Sequence, residues 1–139
     1  RVIVSSGESS RQPRRDTQGA HGIQGRMAAN LINKQPGGEV ITECSIQTSE
    51  GVKVADVVWA SDEFIRQFAY ETPYPKAPEL CIEIVSPSNA KAEISGKVEL
   101  YLAKGAQEVW VISEDGTTAV YSHIGKISRS GIAPDAEQV

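Results

Sequence analysis

The chain has 139 residues, enough for one domain and too few for two that each bury a core of their own. With 40% hydrophobic and 23% charged residues it falls outside disordered compositions, and a formal net charge of −4 does not advertise nucleic-acid binding by the molecule as a whole. No apolar run approaches the roughly 18 residues of a membrane span and no signal-peptide pattern is read, so the expectation is a soluble, cytoplasmic protein without membrane contact.

The charge is uneven. Residues 1–26 carry Arg1, Arg11, Arg14, Arg15 and Arg26 against only Glu8 and Asp16. After a possible short strand at RVIV, the run SSGESSRQPRRDTQG offers almost nothing to bury, so residues 1–19 read as a basic, weakly ordered arm. From His21 to about Lys34, Ile23, Met27, Ala28 and Leu31 fall at helical spacing, and Pro36-Gly37-Gly38 ends that helix. Two strands follow, Val40 to Thr48 and Val52 to Ala60. A two-residue turn between them sets Thr48 opposite Gly51, and Glu43 opposite Asp56 on one face. Residues 61–78 contain three prolines and read as a helical turn near Asp62 to Phe68, then an irregular connection.

The organising stretch is ELCIEIVSPSNAKAEISGKVELYLAKG, residues 79–105. Leu80 to Val85 has strand length and a lone carboxylate, Glu83, at its middle. A charge in a buried strand costs several kcal/mol unless paired, so Glu83 asks for a metal ion or a lysine. Ser88 reads as the cap of a helix running to about Lys104, with Gly105 as its stop. QEVWVIS and TTAVYSH then form a hairpin across Glu114-Asp115-Gly116. Residues 126–139 receive no assigned structure. A helix between the third and fourth core strands requires a crossover, hence a mixed α/β sheet flanked by helices with at least one parallel pair. Cys44 and Cys81 lack zinc-site spacing and read as small core residues in a reducing compartment. Trp110, Tyr101, Ile94 and Val98 read as core, and His123 as a surface residue.

Glu43, Asp56 and Glu83 thus lie on three neighbouring strands, each among apolar residues. Paired carboxylates with a backbone carbonyl suit a hard cation that keeps sites open for phosphate and water, and a nearby lysine would steady that water. VADVVWAS, ELCIEIVSPSN and Lys97 within GKVELYLAKGAQEVWVIS together resemble the Uma-two family of restriction-endonuclease-like proteins, in the PD-(D/E)XK nuclease superfamily. The resemblance covers about residues 20–125 and includes His21 at the head of the first core helix; the family's usual Pro-Asp is Ala55-Asp56 here. It implies an αβββαβ core and a magnesium- or manganese-dependent endonuclease acting on phosphodiester bonds, with DNA as the expected substrate. A homodimer is expected because two tryptophans, the run Val109 to Ile112 and the hairpin at 117–123 give apolar surface that few helices cover, and duplex cleavage suits two sites on a two-fold axis. It assigns Asp56 and Glu83 as metal ligands, the Ile84 backbone carbonyl as a third, and Glu43 as a supporting acid. The superfamily's lysine position is occupied by Val85, and Lys97 from the following helix takes its role, with its ammonium near both carboxylates. Lys91 is the rival lysine. Lys53, three residues from Asp56 on a regular strand, is expected on the opposite face. The alternative function is a catalytically silent domain of the same fold that binds nucleic acid or a protein.

Overall fold

The computed structural model describes residues 2–3 and 15–137, with side chains from residue 22 onward. Residues 4–14, most of the expected basic arm, and the His21 side chain lie outside the described part. Helix α1 spans Arg15–Lys34, beginning earlier than the apolar spacing alone indicates. Ile23, Met27, Ala28 and Leu31 form its buried stripe, as their spacing predicts. The helix gives way to Gly37 and Gly38, both at positive φ. At Gly38 a Cβ would come within 2.5 Å of Trp59 Nε1 and 2.6 Å of the Ala60 carbonyl, so only glycine fits that turn.

The strands are β1 (Val2–Ile3), β2 (Glu39–Thr48), β3 (Gly51–Ala60), β4 (Leu80–Ile84), β5 (Glu108–Ile112), β6 (Thr118–Ser122) and β7 (Gly125–Ile127). They form one sheet in which spatial order equals chain order. β1–β2 and β4–β5 are parallel and the other pairs antiparallel. The predicted crossover is β4–α3–β5, with α3 spanning Lys91–Ala103. Thr48 faces Gly51 across a two-residue turn, where the Thr48 hydroxyl donates to the Gly51 carbonyl at 2.6 Å and accepts from the Glu50 amide at 3.1 Å. Helix α2 spans Asp62–Phe68, as expected; the Ser61 hydroxyl caps the Phe64 amide and donates to Glu79.

Two apolar layers sandwich the sheet. One joins the α1 stripe to Val57, Ile82, Ile84, Trp110 and Ile112. The other joins Phe64 of α2 and Val98 and Tyr101 of α3 to Cys44, Ala55, Val58, Cys81 and Val109. Cys44 and Cys81 are buried free thiols, and burial pushes Cys44 up to about 12.

Two expectations are corrected. Ser88 does not cap α3: it lies in a turn where Asn89 Oδ1 accepts from the Ser86 amide at 3.0 Å, and the helix starts after Ala90, without a side-chain cap. The Ser-Pro-Ser break consumes its own polar groups before the helix begins.

The segment after residue 125 is folded rather than structureless. It adds β7 and a short 3-10 turn at Pro134–Ala136, with Ala133 and Ala136 in the α1-side layer. What holds it is Glu108, a buried carboxylate that accepts from Ser130 Oγ at 2.5 Å, the Gly131 amide at 2.7 Å, the Ile132 amide at 3.2 Å and Trp110 Nε1 at 3.0 Å. Short polar residues with little periodicity hid this, because the binding partner lies 22 residues away. Glu108→Leu is expected to lower stability by about 2 kcal/mol by orphaning these donors, and limited proteolysis should then cut first between residues 126 and 137. Unchanged protease resistance at reduced stability would show that the segment is held by its apolar contacts instead.

Candidate active site

All five residues of β4 are buried, and Glu83 is only 2% exposed. Alternation along β4 sends Ile82 and Ile84 to the α1 side and Cys81 and Glu83 to the α3 side. There the carboxylate meets two groups one helical turn apart. Lys97 Nζ lies 3.2 Å from Glu83 Oε1, and the Tyr101 hydroxyl donates to Glu83 Oε2 at 2.9 Å. Ile94, Val98 and Tyr101 fix the buried stripe of α3, which leaves Lys97 on its flank, half-buried. Its methylenes follow the helix surface and its ammonium reaches the sheet, donating also to the Val54 carbonyl at 3.2 Å. Lys91 is exposed, and Glu93, four residues before Lys97, accepts from Asn89 Nδ2 at 3.3 Å.

Asp56, on the neighbouring strand β3, is half-buried. Its Oδ2 accepts from the Ile84 amide at 2.7 Å, stitching β3 to the end of β4 beside Glu83. The two carboxylates feel each other: burial first, then the Asp56 charge, raise Glu83 to about 7, while Lys97 and Tyr101 pull in the opposite direction. Burial and the Glu83 charge push the Tyr101 phenol well above its ordinary range.

Glu43 does not stand opposite Asp56 in a regular rung. The β2–β3 ladder pairs Thr42 with Val57 and Cys44 with Ala55 and leaves out the rung between them. Glu43 has φ +51° and is exposed. Around this break the alternation turns over: Ala55 and Val57, which a regular strand would put on one face, belong to opposite layers. A strand-period argument therefore fails at this point, and it fails for Lys53 as well. Lys53 pairs with Ile46, a member of the α3-side layer, and so faces the same side as Glu83. Among the described residues no group of three or more His, Cys, Asp or Glu gathers in a way that could hold a metal ion, so the three acids do not form one cluster.

Sequence reasoning missed two contributors. Tyr101 reads as core from its helical spacing and is core, yet its hydroxyl is the second partner of Glu83. Gln24, buried on α1, donates from Nε2 to the Asp56 carbonyl at 2.9 Å. The only signal for it was a polar residue beside Ile23 on an apolar helix face. A groove of about 930 Å³ lies along another flank of α3, lined by Lys91, Ser95, Leu102 and the β6–β7 turn, and includes neither Glu83 nor Lys97.

Asp56 and Glu83 present carboxylate oxygens from adjacent strands, the ligand type a hard divalent cation takes, and three of those oxygens already accept from the Ile84 amide, Lys97 and Tyr101. Burial and the Asp56 charge drive Glu83 toward neutrality, and Lys97 opposes them. The two acids are expected to respond differently to truncation. Asp56→Asn keeps an oxygen for the Ile84 amide and should change metal-free stability by less than about 0.5 kcal/mol, whereas Asp56→Ala orphans that amide and should cost about 2 kcal/mol in urea denaturation. Equal losses in both would mean that the charge, not the hydrogen bond, matters to the fold.

The comparisons agree with this architecture. The Uma2 family model, described as "Putative restriction endonuclease", matches residues 7–137, and the chain belongs to that family. Among solved structures, the chain resembles one described as a "putative nuclease belonging to DUF820" from Anabaena variabilis ATCC 29413, with a TM-score of 0.60 and 19% identity. The match covers 81% of this chain and 65% of that one, so this chain spans somewhat less than two thirds of the relative's length. A search of curated proteins finds no match. The mixed α/β fold is shared with that neighbour. No helix among the described residues is long and apolar enough to cross a membrane.

Proposed function

We propose that this protein is a divalent-cation-dependent endonuclease that hydrolyses phosphodiester bonds in DNA, with magnesium or manganese as its cation. The observation that carries this reading is the Lys97 ammonium, 3.2 Å from a carboxylate buried on β4, beside a second carboxylate on β3. Asp56 and Glu83 would hold the cation, with the Ile84 carbonyl as a third oxygen. Glu43, exposed at the ladder break, would be a supporting acid. When bound, the cation would supply Lewis-acid polarisation of a phosphoryl oxygen and acidify a water molecule. Lys97 orients the attacking water by donating to its oxygen, and its positive charge offsets the negative charge that grows on the phosphoryl oxygens. Tyr101 holds one oxygen of Glu83, leaving the other to face Lys97 and the cation. Nothing in this scheme needs a nucleophilic side chain.

A homodimer belongs to the proposal, because cutting both strands of a duplex suits two sites related by a two-fold axis. Exposed Val52 and Val54, on β3 next to the site, offer apolar area for such a contact. Light scattering at micromolar concentration should give twice the 15.0 kDa chain mass; the single-chain mass would remove this part.

Supercoiled plasmid, incubated with either cation, should be nicked or linearised by wild type and left intact by Asp56→Asn or by wild type with chelator. One observation favours the second reading, a silent nucleic-acid- or protein-binding domain: both Glu83 oxygens already have protein partners. Folded wild type that leaves plasmid intact with both cations would establish that reading instead.

A further inference from the structure

We propose that Gln24 is a positioning residue of this site, setting the Asp56 carboxylate by holding the Asp56 main-chain carbonyl from the opposite side of the sheet. The proposal rests on the nuclease reading for its functional meaning, but not for its geometry. Gln24 is 6% exposed and sits within the apolar stripe of α1, beside Ile23, Met27 and Ala28. An amide there is costly unless it is hydrogen-bonded. Its Nε2 donates to the carbonyl oxygen of Asp56 at 2.9 Å, 32 residues away in the chain.

That carbonyl belongs to the rung missing from an otherwise continuous ladder. On either side of it the register is unchanged, so no residue has been inserted; the backbone has turned over locally. The left-handed Glu43 and the passage of Ala55 and Val57 into opposite layers mark the same event on the two strands. Such a break exposes backbone polar groups inside the sheet, and each needs a partner. Gln24 supplies one. Asp56 is consequently fastened at two ends: its carbonyl to α1 through Gln24, and its Oδ2 to the Ile84 amide at 2.7 Å. With both ends fixed, the carboxylate has little freedom left and stays beside Glu83. Without Gln24 the turned-over backbone loses one of its anchors, and the Asp56 carboxylate gains freedom to leave the Ile84 amide.

The test uses the full chain with Gln24→Met, which keeps length and volume while removing the donor, and Gln24→Asn, which stays polar but is one methylene too short to reach. Leu31→Ala, a cavity in the same helix, controls for general destabilisation. Amide hydrogen exchange is followed at Ile84 relative to Ile82, together with calorimetric titration of manganese. The expected result is at least 10-fold faster relative exchange at Ile84 and at least 10-fold weaker manganese binding in the Gln24 variants, with neither change in Leu31→Ala. Ile84 exchange equal to wild type in the Gln24 variants, or equally accelerated in Leu31→Ala, would overturn the proposal. Should wild type bind no manganese while Ile84 still responds to Gln24 alone, the nuclease reading fails and the positioning stands. Should Gln24→Met not fold, Gln24→Asn carries the same two readouts.

Discussion

In chelator-containing buffer, Glu83→Gln is expected to gain about 3 kcal/mol on wild type as pH is raised from 4.5 to 8. Burial and Asp56 raise Glu83 from 4.5 to about 7 in the folded protein. Below the unfolded value both states hold the proton and the group contributes no pH dependence. Between the two values the unfolded chain releases the proton while the folded chain keeps it. The unfolded state then binds fewer protons, so stability falls as pH rises, and the loss is complete above the folded value. A displacement of this size corresponds to about 3 kcal/mol. Glutamine cannot titrate, and it can keep both contacts: its oxygen accepts from Lys97, and its amide donates to the Tyr101 hydroxyl. Urea denaturation at pH 5 and pH 8 should therefore show wild type weakening and Glu83→Gln holding level. Parallel behaviour of the two proteins would mean that Glu83 titrates as an ordinary carboxylate and lacks the strain assigned to it. Manganese at pH 8 should stabilise wild type and leave the variant unmoved, which separates relief by a cation from relief by mutation.

The sheet was legible because its signals are local. Val52 to Ala60 and Leu80 to Val85 are apolar runs of strand length, and the Ser49-Glu50 turn sets the register that the ladder keeps from Glu39 to Thr48. The Glu83–Lys97 pair was legible for a different reason. A carboxylate inside a buried strand must be compensated, and the helix following that strand returns across the same face, bringing Lys97 within reach. What strict alternation could not supply was the break at Glu43 and Asp56. No glycine, proline or asparagine marks it, and a left-handed glutamate has no sequence signature. Its cause lies in tertiary contacts, the Gln24 amide on one side and the Ile84 amide on the other. The same holds for residues 126–137, held by the Glu108 and Glu137 carboxylates and by buried Ala133 and Ala136, not by any periodicity of their own. Local patterns, then, gave the elements, and long-range polar contacts decided where the elements deviate. The break at Glu43 and Asp56 falls at the candidate site, whereas residues 126–137 pack in the α1-side layer.

Lys97→Met is expected to lower single-turnover plasmid cleavage about 100- to 1,000-fold at saturating cation, the loss that follows removal of one fixed donor from a developing negative charge. Methionine retains most of the stem that runs along α3, so the change removes the ammonium and little packing. Two consequences must be kept apart. The first is electrostatic: Glu83 loses its nearest positive charge, is driven further toward the protonated form, and holds a cation less well at pH 7. Working at pH 8.5 with excess manganese suppresses that effect. The second is the chemical role, loss of the group that steadies the water, and it persists under those conditions. Lys97→Arg discriminates further. A planar guanidinium keeps the charge but cannot place one compact donor between Glu83 Oε1 and the Val54 carbonyl, both 3.2 Å from the ammonium. It should restore manganese binding at pH 7 while recovering less than about a tenth of the rate at pH 8.5 with excess manganese. If Lys97→Met cleaves at the wild-type rate once cation is saturating, the lysine serves only to neutralise Glu83. The water would then be steadied by another cation on the same face, and Lys53, which shares that face, is the residue to replace next.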